Sequence, residues 1–160
     1  MKKYPKIENK INDVLSGEKQ KNALDFVEFL HANEFTLKEY NEYGYGWSVE
    51  YKDKGIAFVK IPAEEKELWI WSGGVFGTER TDDDEFNNTI WENVVICPQA
   101  TCPSKRHCGC EEDIGGTIFG IKFDSTCYSP LGFFDPDVKT LETAKKLLLL
   151  KCLPTKEPYD

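Results

Sequence analysis

Five of the six cysteines in this chain fall between Cys97 and Cys127, and that segment most constrains what the chain can fold into. It reads Cys97-Pro-Gln-Ala-Thr-Cys102-Pro-Ser-Lys-Arg-His107-Cys108-Gly-Cys110, with Cys127 further on. Pro, Gly and polar residues dominate, so the segment cannot build a hydrophobic core and needs a metal ion or disulfides to hold it. The core must come from the rest of the chain. At 160 residues there is room for one domain, spanning 1–160, with the cysteine-rich loop at about 97–127. Apolar residues at 40% and aromatics at 13% mark it as globular.

The residues Met1 to Glu8 carry charges with no apolar stretch behind them, so the expected compartment is the cytoplasm. Thiols stay reduced there, which favours metal over disulfides. Zinc takes thiolate and imidazole ligands, and the expected structural zinc ligands are Cys102, Cys108, Cys110 and Cys127. Cys97 is the replacement ligand, unless the apolar run Val94-Val95-Ile96 tucks it into the core, and His107 is a further candidate. The intervals of four, five, one and sixteen residues contain no Cys-x-x-Cys knuckle, so the density is right for zinc and the spacing irregular. Cys108 and Cys110 could instead form a redox pair, with Lys105, Arg106 and His107 favouring a thiolate and Glu111 to Asp113 opposing it. Cys152 shares a face with apolar residues and reads as packing.

The net charge of −8, from 28 acidic and 20 basic residues, argues against a nucleic-acid partner. No apolar run of about 18 residues occurs, so no membrane partner is expected.

Periodicity predicts the elements. A short helix over 5–15 places Ile7, Ile11, Val14 and Leu15 on one stripe. A second, over 17–32, repeats Ala23, Phe26, Val27 and Leu30, and Asn33 stops it. Trp47, Val49 and Tyr51 alternate with polar residues as a strand. A hairpin at 52–55, with Gly55 supplying the positive φ, leads to a strand over 56–61. The strand 67–72 has a continuous apolar run that implies cover on both faces, burying Leu68 and Ile70 together with Trp47 and Phe58. Thr81 with the acids after it starts a helix reaching about Asn93. Residues 117–123 read as one short strand, and Asp135-Pro136 opens a last helix to about Lys151. The fold class expected is α+β, an antiparallel meander sheet packed by helices.

Aromatic residues crowd the meander. Tyr45, Trp47, Trp69 and Trp71 are the candidate ligand-binding residues, since phenol and indole groups can line a small-molecule pocket; strand packing also explains their positions. No phosphate loop, HExxH, nucleophile elbow or dinucleotide fingerprint is present, so no catalytic residue is assigned. The His31 imidazole at a helix end reads as structural.

The stretch Gly46 to Gly55, the Trp69-Ile70-Trp71 strand, the cysteine-rich loop followed by Thr117 to Gly120, and Phe134-Asp135-Pro136-Asp137 together resemble uncharacterised proteins of clostridia and related bacteria, distantly similar to YdhG-like α+β domains. The resemblance covers roughly residues 20–152. It implies a small cytoplasmic sheet packed by helices, brings no catalytic residue, and leaves the cysteine loop as an addition. Three readings follow: a binding or interaction module with a zinc-stabilised loop and a small-molecule or protein partner, a thiol-redox protein using Cys108 and Cys110, or a small-molecule-binding domain with an aromatic pocket.

Overall fold

The structure, a computed structural model, describes residues 6–41, 46–72, 79–95, 114–126 and 131–152, with side chains left out at 114, 115 and 124–126. It is the expected α+β class. Helices α1 (Ile7–Val14) and α2 (Gly17–Ala32) lead into strands β1 (Thr36–Tyr40), β2 (Gly46–Tyr51), β3 (Lys54–Lys60) and β4 (Trp69–Ser72). Helix α3 (Asp84–Glu92), the pair β5 (Ile114–Ile118) and β6 (Ile121–Thr126), strand β7 (Leu131–Phe134) and helix α4 (Val138–Lys151) follow.

The main sheet has the order β1-β2-β3-β4-β7 and is antiparallel throughout. The meander is thus one strand longer than its periodicity suggested, and β7 closes onto β4 from a distant part of the chain. Gly132 breaks the apolar alternation of β7, and its four residues are too few for a clear period.

Local chemistry explains the boundaries. Helix α2 ends at the C-cap Asn33, where Glu34 takes φ 64° and the Phe35 amide reaches back to the Leu30 carbonyl. The β2–β3 hairpin turns on Lys52 and Asp53, both at positive φ, not on Gly55. The cap of α3 is Asp83, whose carboxylate accepts from the Phe86 amide; Thr81 instead pairs with buried Asn87, which accepts from its amide and hydroxyl and donates to its carbonyl. Residues 117–123 are not one strand, because Phe119 (φ 45°) and Gly120 (φ 88°) reverse the chain between β5 and β6. A bulky residue at positive φ is unusual, and here the Phe119 ring is buried edge-on against Phe86, with centroids 5.4 Å apart. The Trp91 indole fixes the same tip by donating to the Ile118 carbonyl.

The core lies on one face of the sheet. Trp47, Val59, Ile70 and Phe133 form a row in register across four strands, each 3% exposed or less. Against them pack Ile11, Ala23, Phe26, Val27 and Leu30 from the first two helices and Leu141, Ala144, Leu147 and Leu148 from α4. Ion pairs from Lys146 to Asp83 and from Lys139 to Glu85 join α3 to α4. No helix among the described residues is long and apolar enough to cross a membrane.

The aromatic face of the sheet as candidate functional site

Strand alternation sends the other half of the side chains to the opposite face. One row there runs Lys38, Ser48, Phe58, Trp71 and Gly132; the next holds Lys60, Trp69 and Phe134, with Tyr40 opposite Gly46 at the near edge. Tyr40, Phe58, Trp69, Trp71 and Phe134 are all half-buried. The second face of β4, expected to be covered as well, is only partly buried. Ile70 and Ser72 point into the core, while Trp69 and Trp71 stand on the other face, half-buried and packed edge-on against each other. Phe58, expected in the core, belongs to this face too.

Three rings form the centre. Trp69, Trp71 and Phe134 meet in mutually perpendicular pairs, at interplanar angles of 85°, 84° and 80° and centroid distances of 5.4 to 5.6 Å. Each places a positive ring edge against a negative face, the preferred geometry for aromatic pairs. Phe58 extends the cluster to Trp71 at 6.0 Å, and Tyr40 closes on Phe58 edge-on at 5.3 Å. The Trp69 indole donates to the Glu67 carboxylate at 2.8 Å, which sets the plane of that ring.

Two glycines make the cluster possible. A Cβ at Gly46 would lie 2.6 Å from the Phe58 ring and from the Val59 carbonyl oxygen, and one at Gly132 would lie 2.7 Å from the Phe134 ring and 3.0 Å from Val95. With no side chain at either position, both rings lie down over the backbone. The result is a continuous ring surface with a rim of Lys38, Ser48, Lys60 and Glu67.

Of the residues expected to bind a ligand, the fold brings Trp69 and Trp71 together. It puts Trp47 on the opposite, helix-covered face at 3% exposure. Tyr45 lies outside the described residues, as do Cys97, Cys102, His107, Cys108, Cys110 and Cys127. Among the described residues no group of three His, Cys, Asp or Glu side chains comes together as a metal site. Cys152 packs at the edge of the core, its thiol donating to the Leu148 carbonyl and pushed up in pKa by burial. His31 pairs with Glu8 at 3.1 Å, a tether between α1 and α2.

Sequence reading missed Tyr40, Phe58 and Phe134 as members of this face. Phe58 and Trp71 could be matched only by knowing the β3–β4 register, and Phe134 only by knowing that β7 pairs with β4. Comparison with protein families, characterised proteins and solved structures gives no match, so the reading of this face rests on its own geometry.

Proposed function

We propose that the protein is a binding module whose contact surface is the aromatic face of the sheet, and that its ligand is a small molecule with a flat apolar side. The observation that carries this is the Trp69–Trp71–Phe134 triad, three large rings kept half-buried on a sheet face rather than enclosed in the core. A flat ligand stacking there would bury ring surface already held rigid by edge-to-face contacts, so little rotamer freedom would be lost on binding. Lys60 and Glu67 on the rim supply one donor and one acceptor to orient it. The cysteine-rich segment is proposed to hold a structural zinc through Cys102, Cys108, Cys110 and Cys127, giving that segment the cross-link its composition demands.

Tryptophan emission titrated with a panel of metabolites tests the surface. A saturable change is expected with a planar or sugar-ring compound; it disappears in Trp71→Ala and survives in Trp47→Phe, because Trp47 lies on the other face. No response from any compound, or a response that Trp47→Phe abolishes, rejects the assignment. Elemental analysis with thiol counting on unreduced protein tests the zinc: one metal per chain supports it, and disulfides without metal reject it.

A further inference from the structure

Two polar groups of the ring face, both beside the triad, lack partners. Lys60 stands directly opposite Trp69, which in turn stands opposite Phe134, so one row crosses three strands from a cation to two rings. Lys60 is half-buried, yet among the described residues it has neither an ion pair nor a hydrogen bond. The helices treat their lysines differently: Lys19, Lys139, Lys145 and Lys146 each meet a carboxylate within 3.2 Å. Glu67 is the carboxylate nearest to Lys60 along β4, and it is already taken up by the Trp69 indole.

The indole N–H groups divide in the same way. That of Trp69 donates to Glu67 and that of Trp91 to the Ile118 carbonyl. The Trp71 indole, half-buried on the ring face, has no acceptor among the described residues. A sheltered indole N–H ordinarily finds one, and a donor kept from water without an acceptor is destabilising. Phe58 faces Trp71 and Lys60 faces Trp69, so Lys60 and Trp71 are diagonal neighbours across β3 and β4. Such pairs lie about 7–8 Å apart, within reach of a lysine stem. The other charges of this face, Lys38 and Glu50, belong to β1 and β2, away from the triad on β4 and β7.

We propose that the ligand of the ring face is an aromatic carboxylate, its ring lying on the Trp69–Trp71–Phe134 triad and its acidic group held by the Lys60 ammonium, with the Trp71 N–H as a second donor. This rests on the ring face being a binding surface, and it adds the charge of what binds there. Both unpartnered groups beside the triad are donors, while the carboxylate beside them is in use. A neutral flat compound leaves the ammonium unmatched; a carboxylate offers oxygens to both donors, and hydrogen bonds between ionised groups are the stronger kind. The net charge of −8 supplies no long-range attraction for an anion, so the preference arises at this contact.

The experiment compares naphthoate with naphthamide, which share the flat ring and differ in charge. Both are titrated into the whole chain, followed by calorimetry and by the indole N–H signals of isotope-labelled protein. Naphthoate is expected to bind about tenfold more tightly than naphthamide. It should also shift the Trp71 indole signal, identified by its loss in Trp71→Phe, more than that of Trp69, which keeps Glu67 as its acceptor. Lys60→Met retains the apolar stem and removes the charge, so it should bring naphthoate down to the naphthamide affinity and leave naphthamide binding unchanged. Lys60→Arg should keep most of the preference. If the wild-type chain binds both compounds equally, if the preference survives Lys60→Met, or if the Trp71 signal stays in place, the carboxylate assignment is overturned while the ring face stands as a binding surface. If neither compound binds and no indole signal moves, the ring face itself is rejected and the carboxylate assignment falls with it.

Discussion

The two faces of the sheet are built from the same strands in the same register, yet they are stabilised by different partners. On one, Trp47, Val59, Ile70 and Phe133 meet helices and are closed to water. On the other, Phe58, Trp69, Trp71 and Phe134 pack ring against ring and stay half-buried. The covered face mixes aliphatic and aromatic side chains, which interlock by shape against the helices. The ring face depends on direction, since edge-to-face pairs lose their attraction when a ring turns. Shape carries the first and orientation the second.

Adjacent residues of β7 give the strongest way to break this comparison. Phe133→Ala should cost about 3–5 kcal/mol, the range for truncating a fully buried ring. Phe134→Ala should cost about 1–2 kcal/mol, because its losses are mainly ring-pair contacts. Urea unfolding of both variants measures the difference, and equal costs would mean that the ring face is as much core as the other. Gly46→Ala sharpens the point from the backbone side. Its Cβ meets the Val59 carbonyl as well as the Phe58 ring, and a carbonyl in a ladder cannot step aside. A cost of about 1–3 kcal/mol is expected, as for overpacking elsewhere.

Lys151 tests the covered face, where a charge is out of place. A lysine titrating at about 8 when folded and in the usual range when unfolded binds its proton less well in the native state. The unfolded chain therefore holds the extra proton between those values, and stability rises with pH across that window while staying flat below it. Lys151→Met should remove the rise and add about 1–2 kcal/mol at neutral pH, less than the full shift because the hydrogen bonds to the Ile56 carbonyl and Ser72 are lost. Thermal melts from about pH 7 to about pH 10 read both effects, and a Met variant that keeps the rise would assign it to another group. The smallest effect is expected at Asp83, whose carboxyl is held below its ordinary range by Lys146 first and the Phe86 amide second. Its contribution is present above the unfolded value and lost as pH falls through the folded one. Asp83→Asn should flatten that acid limb and leave neutral stability little changed.

The core was largely legible in the sequence, because Ile7, Ile11, Ala23, Phe26, Val27, Leu30, Leu141, Ala144 and Leu148 announce themselves by period alone. So were Trp47, Leu68 and Ile70 as interior residues. The failures share a cause. Phe58 was read as core, and Trp47 as a possible ligand residue, because hydrophobicity says that a side chain avoids water, not which face it takes or what it avoids water with. The Lys52–Asp53 turn and the reversal at Phe119 lack the glycine at the first position that would have marked them, since tertiary contacts, the buried Phe119 ring above all, hold the unfavourable φ. Lys151 marked the end of the last helix, and nothing in the helical period shows that its amine reaches the Ile56 carbonyl and Ser72.

The triad joins Trp69 and Trp71 to Phe134 across β4 and β7, with α3 and the whole β5–β6 hairpin between them in the chain. Strands β1 to β4 find their neighbours through short turns, but β7 must wait for a long loop to close, and distant pairings slow folding. The ring surface is thus completed late, and a refolding chain should gain helical circular dichroism before the emission of Trp69 and Trp71 settles. The same order makes the surface a readout of finished molecules: a ligand that stacks on all three rings would select chains that have completed folding and ignore those still on the way.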